Sequence, residues 1–395
     1  MSRIIFAWEL GSGFGHLSRL ESIARNWSGS GHDILFISKD TQSAAKLLGP
    51  YGYRFLQAPV SPTTYKLARP PANYTEMLLA DGYAEPCALR GKVEGWIGIY
   101  QLFRPDIVVA DHSPTALLAA RFLDICRVQV GTGFELPPLE SPFPSIRPWE
   151  SIARSVLDHS DALALAEINS VAKIYQGKPL NQMADLFDLN GITLASFVEL
   201  DHYGPRQGIN YAGPIYPVHY GRKVNWPEGT GPRIFAYLRR SVPGFSFLLA
   251  ALSRTNARVI CVVPDANTQL LNAFSRGNLS IYQDTVDLGV LIGEMDLGIS
   301  YGGTGTVSAL LLGGVPILLA PQNVEQYLLC RRVESLGAGL ILRNARNQEA
   351  IQNGLSRMLE DQSYGVAAKL FAARYRAFNP DQAEDQAIIM INRVL

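Results

Sequence analysis

The sequence predicts an α/β chain of two doubly wound parallel sheets, on three observations. With 395 residues the chain is too long for one ordinary core and suits two domains of typical size. Its first half alternates short β-type apolar runs with stretches of helical periodicity, as βαβ units do when a parallel sheet is covered on both faces. A punctuated stretch from Tyr203 to Asn225, with Gly204-Pro205, Gly213-Pro214 and Pro217, then interrupts this pattern, and the same alternation restarts beyond it.

In chain order, Ile4 to Trp8 reads as the first strand. A helix follows from Leu17 to Trp27, with Leu17, Leu20, Ile23, Ala24 and Trp27 at the spacing of one buried stripe. Asp33 to Ser38 and Tyr53 to Ala58 read as strands around a helix near Ser43 to Leu48, and Asp106 to Ala110, Thr115 to Leu123 and Arg127 to Val130 form a further strand–helix–strand unit. Between them, residues 59–100 interleave prolines with Tyr65, Tyr74, Tyr83, Trp96 and Tyr100, which suits either a helical lid packing aromatics into the core or the wall of an acceptor pocket. Residues 134–149, with Phe134, Phe143 and Trp149, read as a loop over the same place. The second half offers strands at Arg233 to Leu238, Ala257 to Val263, Leu279 to Tyr282 and Leu297 to Ser300, and a helix near Phe245 to Arg254. A last helix, Asp381 to Val394, carries Ala387, Ile388 and Ile391 on one side, with Leu395 just beyond.

Composition excludes several classes of function. Hydrophobic residues are 47% and charged residues 18% of the chain, so large cores are available and disorder is not indicated. Net charge is +0, with no Lys/Arg block, which argues against nucleic acid as a partner and against electrostatic attachment to anionic membranes. Cys87, Cys126, Cys261 and Cys330 lack metal-ligand or redox spacing and fit a reducing, cytoplasmic setting. Met1 to Trp8 runs directly into a Gly-rich turn and reads as a strand instead of a signal peptide. The longest apolar run, near Leu310 to Leu319, is broken by Gly313, Gly314 and Pro316, so no transmembrane segment is expected.

Two segments carry chemistry. At residues 301–326 a strand runs into the turn Tyr301-Gly302-Gly303-Thr304-Gly305-Thr306 and then into an apolar helix. Unpaired first-turn amides, the helix dipole and the Thr304 and Thr306 hydroxyls make that turn suited to a phosphate. About one turn past the next strand, Val315 to Leu319, Glu325 and Gln326 offer an acceptor and an amide suited to sugar hydroxyls, at a strand's carboxyl end. The other segment is Glu9-Leu10-Gly11-Ser12-Gly13-Phe14-Gly15-His16-Leu17-Ser18-Arg19, between the first strand and the first helix. Near a helix start the dipole disfavours a charged imidazole, so His16 is a candidate neutral base, with helix capping as the structural alternative.

Together these residues resemble the two-domain GT-B glycosyltransferases, particularly the branch of macrolide and plant natural-product enzymes. The pattern His-Gly-Gly-x-Gly-Thr, apolar helix, Gly-Val-Pro, acidic-Gln is matched by Gly302, Gly303, Gly305, Thr306, Gly314, Val315, Pro316, Glu325 and Gln326, and the Gly-His pair by Gly15 and His16. The resemblance implies two Rossmann-like domains facing a cleft: an acceptor domain at 1–203, a linker at 204–224, a nucleotide-sugar domain at 225–375, and a C-terminal helix at 376–395 that packs back on the first domain. It implies an inverting glycosyltransferase in which His16 deprotonates an acceptor hydroxyl. Asp111, at the end of the strand Ile107 to Ala110, would orient that histidine, or would merely cap the next helix.

The resemblance also implies a nucleotide diphosphate sugar as co-substrate, a small-molecule or glycan/lipid acceptor, and no separate cofactor. No Asp-x-Asp pair or histidine cluster suggests a metal. The chain departs from the pattern in four places. Tyr301 stands for a pyrophosphate-contacting histidine, Ala309 for a ribose-binding glutamate, Arg19 for a proline, and Asp284 and Asp287 for the Trp and Gln of the nucleobase region that also includes Thr285. Glu9, Gly13, Gly15 and Arg19 are further candidates for the acceptor side or its loop. His112 is expected to turn away from the site, and His159, His202 and His219 lack suggestive partners. Two other readings fit the same segments: a GT-B nucleotide-sugar epimerase or hydrolase, and a non-catalytic nucleotide-sugar-binding protein.

Overall fold

The computed structural model describes all residues except 28–30, 62–64, 217–220 and 276; Pro62, Pro217 and His219 fall among these exceptions. Twelve parallel strands among the described residues form two six-stranded sheets. The first contains β1 (Arg3–Trp8), β2 (Asp33–Ser38), β3 (Arg54–Gln57), β4 (Ile107–Ala110), β5 (Cys126–Gly131) and β6 (Gly191–Leu194) in the order β3-β2-β1-β4-β5-β6. The second contains β7 (Arg233–Tyr237), β8 (Arg258–Val262), β9 (Leu279–Tyr282), β10 (Leu297–Ser300), β11 (Ile317–Leu319) and β12 (Gly339–Ile341) in the order β12-β11-β10-β7-β8-β9. Counted from its own first strand, each sheet has the same doubly wound order, so each is Rossmann-like. The central strands are apolar along their whole length, as strands covered on both faces must be: Ile107, Val108, Val109 and Ala110 of β4 are all buried.

The helices are α1 (Gly15–Trp27), α2 (Thr41–Leu48), α3 (Tyr74–Leu78), α4 (Pro86–Phe103), α5 (Pro114–Phe122) and α6 (Arg154–Ile174) in the first half. Beyond it come α7 (Phe245–Ser253), α8 (Thr268–Phe274), α9 (Leu288–Leu291), α10 (Thr304–Leu312), α11 (Val324–Ser335), α12 (Gln348–Glu360), α13 (Gln362–Arg374) and α14 (Pro380–Val394). The stripe expected on α1 is buried from Leu17 to Trp27. Local signals set the starts: Asp40 accepts from the amides of Gln42 and Ser43 to begin α2, and Asn323 accepts from Gln326 N to begin α11. Of the aromatics in residues 59–100, Tyr74, Tyr83, Trp96 and Tyr100 are core residues of the first sheet's helical layer, joined by Phe143, whereas Trp149 is exposed.

The chain divides into two compact units. Unit 1 comprises Met1–Val198, Pro205–Ile215 and Asp381–Leu395, and unit 2 comprises Glu199–Gly204 and Tyr216–Pro380. Residues 204–224, read from the sequence as one linker, are thus divided between them. Glu199 belongs to unit 2 because its carboxylate accepts from Arg374 and from the Tyr375 hydroxyl at 2.5 Å, while its carbonyl accepts from Arg332 Nε at 3.0 Å. The last helix belongs to unit 1. The carboxylate of Glu384 accepts from Ser22 Oγ and Asn26 Nδ2, and Ala383, Ala387 and Ile391 are buried.

Ile391→Ala removes a fully buried side chain and is expected to destabilise unit 1 by about 2–5 kcal/mol. Chemical denaturation measures this, and a loss well under about 1 kcal/mol would mean that α14 does not complete the core.

Candidate active site

In each unit the two central neighbours, β1 and β4 or β7 and β10, send their connections in opposite directions. Chain crossings therefore leave the space beyond their carboxyl ends open to a ligand. The candidate residues gather at these two places.

In unit 1, β1 ends at Trp8 and β4 at Ala110, paired through Ala7 and Ala110. The next residue on β4 is Asp111, which has no exposed surface. His16, in the first turn of α1, lies with Nδ1 2.8 Å from Asp111 Oδ1, and Arg19, one turn on, donates Nη1–H to Asp111 Oδ2. Burial alone would raise the Asp111 pKa, but the Arg19 charge, then His16 with its hydrogen bond, hold it below the usual carboxylate value. Of the two alternatives for Asp111, holding the histidine is thus the one its geometry satisfies. With Nδ1–H donated to the carboxylate, the tautomer that carries its lone pair on Nε2 is favoured.

The turn before α1 is shaped around that ring. Gly11 has φ +81°, and a β-carbon on it would start 2.6 Å from His16 Nε2 and 3.2 Å from His112 Nδ1. Trp8 stacks on the other side of His16, with ring centres 5.6 Å apart. Gly13, also at positive φ, and Gly15, the first residue of α1, complete the turn.

Three expectations for this region need correction. Arg19 is not an acceptor-side or loop residue: it is buried and bound to Asp111. Glu9 is not an acceptor-side or loop residue either, because its carboxylate accepts from Thr115 N at 2.7 Å and Trp96 Nε1 at 2.8 Å, anchoring the start of α5 to the end of β1. His112 does not turn away. It takes a left-handed backbone, φ +51°, which brings its ring centre to 5.7 Å from that of His16. Burial, then the nearby His16 charge, depress its pKa to about 3, and its Nε2 has no hydrogen-bond partner among the described residues. A buried acid that the sequence does not single out, Glu135, also stands in this electrostatic neighbourhood. Burial, then the Asp111 charge, raise its pKa, and Thr132 donates to both of its oxygens. A β-carbon on Gly131 would collide with this carboxylate.

In unit 2, β10 ends at Ser300 and the Gly turn leads into α10. Gly303 is the N-cap and supplies no side-chain hydrogen bond, so the first-turn amides near Thr304, Gly305 and Thr306 are not satisfied by a cap. Gly302, at φ +94°, lets the turn lie against α11: a β-carbon there would start 2.7 Å from Cys330 Sγ and 3.1 Å from the Gln326 carbonyl. The phosphate-type turn and the Glu325-Gln326 pair are therefore brought together. The Gln326 Oε1 atom accepts from Gln322 N at 2.9 Å, and Glu325 is half-buried in the first turn of α11. Tyr301 lies beside Tyr237, ring centres 5.6 Å apart, and close to Arg239, a residue the sequence does not mark. In the expected nucleobase region Asp284 is exposed, Asp287 caps α9 by accepting from Gly289 N at 3.0 Å, and the Thr285 carbonyl accepts from Arg222 N at 2.9 Å. The Arg222 guanidinium lies 5.8 Å from the centre of the Tyr282 ring. Among the described residues, no group of three His, Cys, Asp or Glu side chains could hold a metal ion, and no helix is long and apolar enough to cross a membrane.

Residues 246–386 match the family described as Erythromycin biosynthesis protein CIII-like, C-terminal domain. Over 96% of the chain it is 24% identical to a PGL/p-HBAD biosynthesis glycosyltransferase of Mycobacterium tuberculosis, covering 90% of that protein. A shorter stretch of 98 residues is 31% identical to the sterol 3-beta-glucosyltransferase of Leptosphaeria maculans, and this chain spans only 7% of that protein's length. The fold is similar to that of the spinosyn rhamnosyltransferase SpnG, with a TM-score of 0.66 at 16% identity over 99% of this chain and 100% of that one. SpnG has also been solved with spinosyn aglycone and with thymidine diphosphate. The two Rossmann-like sheets are those of the GT-B fold.

The electrostatics of unit 1 can be measured through His112. Its folded pKa is depressed to about 3 from an ordinary value near 6.5, so the stability tied to its neutral form is full above about pH 6.5 and is lost as pH falls toward about 3. Histidine ring spectra should show one imidazole still neutral at pH about 5. His112→Asn, which tolerates the left-handed backbone, should flatten the loss of stability between those values. An ordinary titration of every histidine would contradict the buried placement.

Proposed function

We propose that this GT-B chain, with its EryCIII-like C-terminal domain, is an inverting, metal-independent glycosyltransferase that moves a sugar from a nucleotide diphosphate sugar to an acceptor hydroxyl. The observation that carries the proposal is the His16 Nδ1 to Asp111 Oδ1 contact of 2.8 Å at the carboxyl ends of β1 and β4. It is the base-and-orienter arrangement that an acceptor hydroxyl requires.

In the reaction, the acceptor O–H proton passes to His16 Nε2 while the oxygen lone pair forms the bond to the sugar's anomeric carbon. The bond from that carbon to the diphosphate oxygen breaks, and its electron pair leaves with the nucleoside diphosphate. Attack opposite the leaving group inverts the anomeric centre. The imidazolium formed on His16 is stabilised by Asp111, whose own charge is secured by Arg19. In unit 2 the departing diphosphate meets the first-turn amides of α10 and the hydroxyls of Thr304 and Thr306, while Glu325 and Gln326 address the sugar.

Support for a nucleotide diphosphate comes from the solved complex of SpnG with thymidine diphosphate, and support for a hydroxylated small-molecule or lipid acceptor from the spinosyn aglycone complex and the sterol glucosyltransferase likeness. The buried carboxylates near His16 are engaged by arginine, tryptophan or threonine donors, which favours transfer over epimerase chemistry needing a further acid/base carboxyl.

His16→Ala is expected to preserve folding and donor binding and to lower turnover by roughly two to four orders of magnitude, the range for a lost general base. Asp111→Asn should have a comparable or milder effect. Steady-state rates with saturating donor and acceptor test this, and unchanged turnover in His16→Ala would remove the histidine from the mechanism.

Because amides and hydroxyls meet the phosphate charge in this scheme, activity should survive thorough chelation. Loss on chelation with recovery on adding magnesium or manganese would show that a metal is required.

A further inference from the structure

Arg239 and Tyr301 come from neighbouring strands. Tyr237 at the end of β7 lies opposite Ser300 at the end of β10, so the residues just beyond both strands share the open space where the sheet's connections diverge. Tyr301 turns its ring over the Gly turn: a side chain on Gly303 would begin 3.3 Å from the ring and 3.6 Å from its hydroxyl. That phenol stands close to both Tyr237 and Arg239, its ring centre 5.6 Å from that of Tyr237. The loop carrying Arg239 is tied to the α11 side of the site as well, through Ser241 Oγ donating to Gln322 Oε1 at 2.7 Å.

Some arginines that brace the fold are matched by carboxylates, as Arg19 is by Asp111, Arg343 by Glu334 and Arg374 by Glu199, and others donate to backbone carbonyls, as Arg258 does to Gly231 and Arg332 to Glu199. Arg239 is half-buried beside the neutral phenols of Tyr301 and Tyr237. The acid whose charge reaches it, Asp265, has its two oxygens on the Arg240 amide at 3.2 and 3.1 Å. A guanidinium withdrawn from water and not neutralised by a carboxylate is a receptor for an anion, because its planar fork of donors suits phosphate oxygens. It stands beside uncapped helix amides that favour the same charge.

We propose that Arg239 is a phosphate-binding residue of the donor site and that Tyr301 is its positioning residue, so that a guanidinium held by the tyrosine serves the phosphate where the family pattern has a histidine. The proposal rests on unit 2 being the donor-binding unit. Arg239 donates to the non-bridging oxygens of the diphosphate and balances the charge that builds on it as the sugar bond breaks.

The test is calorimetric titration of the whole chain with thymidine diphosphate, with inorganic pyrophosphate and with thymidine, for the unaltered protein and for Arg239→Gln, Arg239→Lys and Tyr301→Phe. Thermal unfolding without ligand checks that each variant is folded. Arg239→Gln should weaken thymidine diphosphate and pyrophosphate by roughly ten- to a hundredfold, the span for removing a charged hydrogen bond, and leave thymidine unchanged. Arg239→Lys, which keeps the charge and gives up the fork, should fall between, and Tyr301→Phe should weaken the phosphate ligands less than Arg239→Gln does. A folded Arg239→Gln that binds both phosphate ligands as the unaltered protein does would overturn the proposal alone, and so would an equal loss for thymidine. Failure of the unaltered protein to bind either phosphate ligand would overturn the donor-unit assignment together with it.

Discussion

A carboxylate with no exposed surface must be met by positive charge and donors, and in this chain that requirement at Asp111 organises unit 1. Removing either partner of such a pair typically costs about 3–5 kcal/mol, because the remaining charge is stranded. Arg19 and His16 therefore have to lie one turn apart on the same face of α1, and α1 has to start where β1 ends. The Gly-rich turn follows from this, since a side chain at Gly11 would occupy the space of the imidazole. Glu9 serves the same end from the other side: it binds the amide of Thr115 and so fixes α5, the helix that leaves the loop containing Asp111. Stability and chemistry thus depend on the same few atoms.

The same doubly wound order occurs twice, and each copy uses its open point differently. In unit 1 the residues beyond β1 and β4 form a buried histidine with its carboxylate. In unit 2 those beyond β7 and β10 form an uncapped helix start and a half-buried arginine beside two phenols. Under the proposed function, a proton acceptor would need a fixed ring and a diphosphate many donors and a positive field. One topology can serve both because it fixes where ligands sit and leaves the adjoining loops to decide the chemistry.

The strands are legible in the sequence because fully covered parallel strands are continuous apolar runs: Asp33 to Ser38, Leu279 to Tyr282 and Leu297 to Ser300 are observed as read. The three-residue edge strand β12 and the long helix α6 carry no such signal, the former because Gly339–Ile341 is too short to show a period and the latter because its face is broken by polar residues such as Ser160 and Asp161. At the site, His16 and Asp111 can be named from the sequence although 95 residues separate them, since each follows a recognisable strand. Glu9, Arg19 and Glu135 cannot be sorted that way. Whether an acid near a turn faces a ligand or an amide depends on long-range partners such as Thr115 and Trp96, which no local pattern encodes. His112 departs from expectation for a different reason: alternation along an extended chain turns adjacent side chains apart, and its left-handed backbone breaks that alternation.

The departures from the family pattern look like deficits when read one residue at a time and like exchanges when read in space. Arg19, in place of a proline, supplies the charge that keeps Asp111 ionised. Tyr301, in place of a histidine, stands close to Arg239, which lies two residues beyond the neighbouring strand. Tyrosine is neutral and longer than histidine, so it gives up a direct charge at the turn while gaining the reach to hold a guanidinium, which remains charged at any working pH. Protonation of an imidazole would make the affinity of a phosphate site vary with pH near neutrality. In the proposed reaction, a donor site built on arginine and backbone amides would avoid that dependence, and His16 would be the group whose protonation has to change.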